Sequence, residues 1–80
     1  MRKNAFRSVM VYHNDNTAEI AKYLGVSRVA VSDKLNGRYD FRLAEVDMLA
    51  KRWHLTPEQI YEIFIDGAAE ERTNERTDDT

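Results

Sequence analysis

The chain has 80 residues and no cysteine, which allows one small domain and excludes disulfides and cysteine-based zinc or redox sites. A domain of this size buries only about 60% of the surface that its unfolded chain exposes, so a deep catalytic cavity is not expected. Twelve Lys and Arg stand against 14 Asp and Glu, and the resulting net charge of -2 argues by itself against a nucleic-acid partner.

Two helices are predicted on either side of a polar turn near the start of the chain. A stripe of four side chains at helical spacing predicts a first helix over residues 4–12 with that stripe facing inward. The stripe consists of Phe6, Val9, Met10 and His13. Residues 14–16 read Asn-Asp-Asn, and such short polar side chains favour a turn. Thr17 is then expected to cap a second helix over residues 18–24.

A sharp corner is predicted after the second helix. Gly25 can adopt the left-handed conformation that ends a helix, and Val26 can fill the angle behind it. Ser27 is expected to cap a third helix over residues 28–36, and the Asn36-Gly37 pair should stop it.

A connector and a fourth helix follow. Residues 38–41 form the connector, with Phe41 expected as a buried plug. An apolar stripe at helical period then predicts the fourth helix. This stripe consists of Leu43, Val46, Leu49, Ala50 and Trp53. Either Asp40 or Arg42 could cap this helix, and Glu45 would favour its dipole.

The fifth helix, over residues 57–65, has the clearest start. Thr56 is a good N-cap residue, Pro57 suits the first helical position, and Gln59 can complete a capping box. Its inward side is expected to consist of Ile60, Ile63 and Phe64, with Tyr61 and Ile65 off that side. Residues 68–80 have no apolar anchor and are predicted to be a disordered acidic tail. Without strand-like alternation, the fold class is all-α: a five-helix bundle forming one domain over residues 1–67.

Charge is distributed unevenly along the chain. Residues 1–42 hold eight basic and four acidic side chains, a surplus of four positive charges. Residues 43–67 hold two basic and five acidic side chains, and residues 68–80 hold the same numbers. A positive amino-terminal half beside a negative remainder is typical of a surface that faces phosphates and has an acidic back.

The second and third predicted helices form a helix-turn-helix pattern. Two short helices that cross closely need small residues at their contact and a glycine at the corner. Ala21, Gly25 and Val31 meet this need, and the surrounding apolar seal consists of Ile20, Leu24, Val26 and Leu35. The residues left pointing outward are Arg28, Val29, Ser32, Asp33 and Asn36.

These residues resemble the phage Cro and repressor type of helix-turn-helix protein, often called XRE-like. The resemblance covers roughly residues 6–64 and is plainest at Ala21, Gly25, Val26, Ser27, Val31 and Leu35-Asn36-Gly37. It implies a lambda-repressor-like fold in which the second motif helix enters the major groove and the first crosses the backbone. It also implies that Thr17 contacts phosphate, that Asn36 contacts the backbone, and that the groove-facing residues are Ser27, Arg28, Val29, Ser32 and Asp33.

Several of these residues have a second interpretation. Arg28 could bind guanine through two hydrogen bonds, contact phosphate, or remain solvated. Val29 could touch a thymine methyl or be an exposed filler. Asp33 could accept from cytosine, pair with Arg28, or face solvent. Just after the helix, Arg38 and Arg42 suit a loop that grips phosphate, as does Tyr39 unless it packs on the fourth helix.

The function expected is that of a sequence-specific transcriptional regulator without a cofactor, binding a double-stranded DNA operator in the cytoplasm of a bacterial host. A homodimer through helix 57–65 is possible, because Tyr61, Phe64 and Ile65 offer more apolar surface than one side can hide, unless they complete the core. The rivals are a protein-interaction module such as an antitoxin or antirepressor partner, a DNA-bending accessory and, remotest, an enzyme. A metal site at His13 and His54 is not expected, since no carboxylate stands at ligand spacing.

Overall fold

The computed structural model describes residues 1–66, and this part of the chain is helical without any strand. The helices are α1 (Lys3–Tyr12), α2 (Thr17–Leu24), α3 (Arg28–Leu35), α4 (Leu43–Trp53) and α5 (Pro57–Ile60). Helix α5 continues directly as a π-helical stretch over Tyr61–Asp66. The predicted all-α class with five helices is therefore confirmed. The predicted domain end at residue 67 and the acidic tail at 68–80 lie outside the described residues.

The helix starts are set by side chains that satisfy otherwise unpaired backbone amides. Ser27 accepts from the Ala30 amide at 3.0 Å, as predicted for the cap of α3. For α2 the predicted cap was wrong. Asn16 is the N-cap, accepting from the Glu19 amide at 2.9 Å, and Thr17 is the first helical residue. Asparagine is preferred over threonine at the N-cap position, so the helix begins one residue earlier than predicted.

The start of α5 follows the predicted capping box. The Thr56 hydroxyl accepts from the Gln59 amide at 3.2 Å, and the Gln59 side chain accepts from the Thr56 amide at 2.8 Å. The start of α4 has only one of the two hydrogen bonds of a capping box. Arg42 stands at the N-cap position, but its guanidinium has no acceptor to offer, so only the Glu45 carboxylate contributes, accepting from the Arg42 amide at 2.8 Å.

The corner between α2 and α3 has the predicted geometry. Gly25 has φ of +75°, and its amide donates to the Ala21 carbonyl at 2.9 Å. The Val26 amide donates to the same carbonyl at 3.0 Å. The left-handed glycine turns the chain at once, so α3 begins three residues later and packs on α2.

The core is a single apolar cluster with Phe6 at its centre. The Phe6 ring stacks on Phe41 at 5.3 Å between centroids and meets Trp53 and Phe64 edge-on at 5.1 and 5.9 Å. The buried apolar residues are Phe6, Ile20, Ala21, Val31, Leu35, Leu49, Trp53, Ile63 and Phe64. Phe41 is only half-buried at the edge of this cluster, so the prediction of a fully buried plug was too strong.

Two predicted inward residues face outward instead. Leu43 is 86% exposed, because it is the first residue of α4 and stands before the part of the helix that reaches the core. His13 follows the last turn of α1 and is exposed. Its ring lies over the Trp53 ring, with centroids 6.3 Å apart and planes 14° from parallel. His13 therefore packs on the rim of the core rather than inside it.

Candidate nucleic-acid interface

Helix α3 has one buried and one exposed face. Val31 and Leu35, four residues apart, are buried against the rest of the domain. The opposite side carries the polar and small residues Ser27, Arg28, Ser32 and Asn36, all exposed, together with Val29, which is 68% exposed. No other part of residues 1–66 covers this outer side. An exposed outer side of this kind leaves the helix accessible to a partner.

Arg28 lies at the start of α3, immediately after the corner. Its side chain is exposed, and it has no ion-pair partner within residues 1–66. A guanidinium in this position can approach either a base edge or a phosphate without first breaking an internal contact. Thr17, at the start of α2, is half-buried, so less of its side chain is accessible than that of Arg28.

Asp33 is paired, and its partner is Arg38 rather than Arg28. The Asp33 Oδ1 atom lies 3.5 Å from the Arg38 Nη1 atom. The pairing follows from the turn at Gly37, whose φ of +83° brings the chain back so that the Arg38 amide donates to the Asp33 carbonyl at 2.9 Å. The acid on the outer side of α3 is therefore accompanied by a cation of its own.

The connector after α3 and the N-cap residue of α4 that follows it present two more cations and an aromatic ring. Arg38 and Arg42 are exposed, and Tyr39 is largely exposed rather than packed into α4. Together with Arg28 they place positive charge before and after the exposed face of α3. Guanidinium groups bind phosphate oxygens through two parallel hydrogen bonds, so this arrangement suits a polyanionic partner.

One basic residue in the same region, Lys34, is unavailable to a partner because it is paired inside the domain. The Lys34 ammonium is buried against the Glu45 carboxylate, 2.6 Å from one oxygen and 2.7 Å from the other. Burial alone would raise the pKa of Glu45, but the hydrogen bonds from Lys34 and from the Arg42 amide outweigh it and lower the pKa. Spacing along the chain could not reveal this pair, since its members belong to different helices.

The predicted site residues thus fall into three groups. Ser27, Arg28, Val29, Ser32 and Asn36 share the exposed side of α3 or its ends. Asp33, Arg38 and Arg42 lie at the border between α3 and the connector. Thr17 stands apart at the start of α2. Within residues 1–66 no group of three or more His, Cys, Asp or Glu is arranged to hold a metal ion.

An all-helical fold of this kind, with a capped and exposed helix following a left-handed corner, defines a small domain of the helix-turn-helix type. The family of the BetR domain matches residues 5–77, which is most of the chain. The chain belongs to this BetR-domain family, which comprises small DNA-binding regulatory domains and is not a family of enzymes.

No curated protein and no solved structure is similar enough to the chain to count as a match. Among the helices of residues 1–66, none is long and apolar enough to cross a membrane.

Proposed function

We propose that this chain is a sequence-specific transcriptional regulator of the phage Cro and repressor type, which reads an operator through the major groove with residues 28–36. The observation that carries the proposal is the division of α3: Val31 and Leu35 anchor one side in the core, while the other side is exposed and begins with Arg28, which has no ion-pair partner within residues 1–66. Eight helical residues span roughly 12 Å, about the width of the major groove of B-DNA.

The contacts divide by chemistry. Arg28 is proposed to bind guanine through two hydrogen bonds, with Val29 near a thymine methyl and Ser27 and Ser32 small enough to let α3 lie deep in the groove. Asp33 needs no base partner, because Arg38 already pairs with it. The residues proposed to contact the phosphate backbone are Thr17, Asn36, Arg38 and Arg42. No cofactor takes part.

Two copies are proposed to bind together. A helix as short as α3 contacts only a few base pairs, and two copies on half-sites about 34 Å apart would multiply its specificity. Tyr61 and Ile65 are 56% and 52% exposed on the last helical segment and form the proposed contact between copies. Phe64, in contrast, is buried in the core of its own domain and cannot contribute.

The test is a comparison of two Arg-to-Ala variants. Duplexes selected by the wild-type chain from a random pool would serve as operator, and unselected duplexes as the reference. Arg28→Ala should lower the preference for the selected DNA by about tenfold or more, because a two-bond contact to guanine is lost. Arg7→Ala removes the same charge from an exposed site on α1 and should weaken binding to both kinds of DNA equally. Equal behaviour of the two variants would refute the assignment.

A protein-interaction module remains the second candidate, because Tyr61 and Ile65 are exposed apolar residues that could equally bind another protein. In that case the outer side of α3 is dispensable. Substituting Tyr61 and Ile65 would then abolish capture of the partner, whereas Arg28→Ala would leave it unchanged. A DNA-bending accessory would likewise tolerate Arg28→Ala, since bending requires little preference for sequence.

A further inference from the structure

A buried carboxylate joins the end of α3 to the start of α4. Glu45 receives the Lys34 ammonium on both of its oxygens, and the side chains of Lys34 and Glu45 are only 12% and 9% exposed. The Oε1 atom also accepts from the Arg42 amide at 2.8 Å. We call these three groups, the Lys34 ammonium, the Glu45 carboxylate and the Arg42 amide, the Glu45 cluster.

The Glu45 cluster connects the two parts of the proposed DNA-binding surface. Lys34 lies in the last turn of α3, which carries the residues proposed to read bases. Arg42 follows the connector as the N-cap residue of α4, and Arg38 and Arg42 are both proposed to contact phosphate. The Lys34 ammonium also lies 5.6 Å from the centroid of the Phe41 ring, which packs in turn on Phe6 in the core. Two contacts therefore link the end of the connector to Lys34 in the last turn of α3: one through Glu45 and one through the Phe41 ring.

A buried ion pair of this kind contributes more to geometry than to stability. Removing both charges from water costs free energy that their attraction barely offsets, and apolar replacements of similar volume are often equally stable. The pair instead fixes the relative orientation of its partners, because the carboxylate accepts hydrogen bonds from two donors and each bond has a preferred direction. A hydrocarbon in its place could fill the space but would leave the Arg42 amide without its partner.

We propose that Glu45 is a positioning residue for DNA recognition: through Lys34 and the Arg42 amide it holds the exposed side of α3 and the basic connector in one fixed register. The inference rests on the proposed function, which names those two parts as base-reading and phosphate-contacting. Glu45 itself, buried beneath the surface, touches no DNA. Its effect is on specificity, because base contacts require the helix and the backbone contacts to engage together.

The deciding variant is the double substitution Lys34→Met with Glu45→Leu, which removes the ion pair and also the acceptor of the Arg42 amide. It keeps the side-chain volumes close to those of the wild type, leaves the net charge at -2 and changes none of the residues proposed to contact DNA. Affinity for random DNA and its dependence on salt should therefore stay within about twofold of the wild type. Preference for the selected duplex should fall about tenfold. Lys34→Arg, which retains a cation for the carboxylate, should keep most of the preference.

Amide signals of the protein without DNA provide a readout that is independent of binding. In the double variant the Arg42 amide and its neighbours in residues 38–42 should shift and exchange with solvent faster, while the amides of α1 keep their protection. If the wild-type protein shows no preference for selected over unselected duplexes, the proposed function fails. The amide readout still shows in that case whether the Glu45 cluster holds the connector. Unchanged connector amides, or loosened amides with full DNA preference, would overturn the inference. Should the double variant fail to fold, Glu45→Ala, which also removes the acceptor of the Arg42 amide, and Lys34→Arg allow the same two measurements.

Discussion

Asp15 illustrates how much of this small fold depends on one side chain. Its carboxylate lies in the turn between α1 and α2, almost fully buried, and accepts from both residues at the end of α4. Arg52 donates through Nε at 2.7 Å and through Nη2 at 3.0 Å, and the Trp53 indole donates at 2.8 Å. The hydrogen bonds from Arg52 are the largest influence on the pKa of Asp15 and hold it below its ordinary value despite burial.

Asp15→Asn should destabilise the domain by about 2 kcal/mol at pH 7, lowering the thermal midpoint by roughly 10 °C. The amide group brings donors of its own toward Arg52 and Trp53, so buried donors are left without an acceptor. Asp47→Asn is the matched control: Asp47 pairs with Lys51 on the exposed side of α4, and its loss should leave the midpoint nearly unchanged. Equal effects of the two substitutions would contradict this account.

The same carboxylate predicts a dependence on pH. Because the pKa of Asp15 is lower in the folded than in the unfolded chain, its contribution is complete above roughly pH 5 and is lost as pH falls through the folded value. Urea denaturation at a series of pH values should therefore show the wild type and Asp15→Asn converging in free energy of unfolding below about pH 4. A constant difference down to pH 2 would show that the ionised carboxylate is not the source.

At the scale of elements, two helices end in the left-handed conformation with different residues. Helix α2 ends at Gly25, with φ of +75°, and α4 ends at His54, with φ of +54°. A side chain in this region crowds the following carbonyl, and glycine alone escapes this strain. A Cβ atom added at Gly25 would meet nothing within 4 Å, so only the backbone conformation opposes substitution there.

Opposite stability changes follow at these two positions. Gly25→Ala should lower the free energy of unfolding by about 1 kcal/mol through backbone strain alone. His54→Gly should raise it by about 0.5 kcal/mol, because relief of strain exceeds the added flexibility of the unfolded chain. Both values come from urea denaturation at one pH. Changes of the same sign at both positions would show that local backbone strain does not govern these helix ends.

At the scale of the whole molecule, two of the helical segments in residues 1–66 each carry a pair of exposed side chains made of a tyrosine and a β-branched aliphatic residue. Tyr61 and Ile65 lie on the last helical segment, and Val11 and Tyr12 lie at the end of α1 and are even more exposed. Only the first pair is proposed to join two copies on DNA. The two pairs have the same aromatic and aliphatic composition, which makes one a control for the other.

Replacing Tyr61 and Ile65 together by Gln should therefore abolish paired binding. Wild-type protein on a duplex with two half-sites should sediment as two copies per duplex, whereas this variant should bind singly and with lower affinity. Replacing Val11 and Tyr12 by Gln should leave two copies bound. If the α1 variant loses paired binding and the other keeps it, the interface lies on α1.

The sequence by itself determined those features that depend on neighbours within one turn of helix. Ser27, the Thr56 and Gln59 box, and Gly25 at the corner were all predictable, because a cap or a helix end involves residues only a few positions apart. Core residues such as Ile20 and Val31 followed from helical periodicity in the same way. The exposed side of α3, the centre of the candidate interface, was predictable in the same way, because it consists of the residues that lie opposite the buried ones on the helix.

Only the tertiary structure decided which charges meet. Asp15 and Arg52 are 37 positions apart, and Lys34 and Glu45 belong to different helices, so no local pattern relates them. The positions of His13 on the rim of the core and of Leu43 outside it were also decided by the tertiary structure. Periodicity predicts which face of a helix is apolar, but it does not predict how far along that face the neighbouring helices reach. Which cations remain available for phosphate is therefore a property of how the helices pack, because burial against a distant carboxylate removes Lys34 while leaving Arg28 exposed.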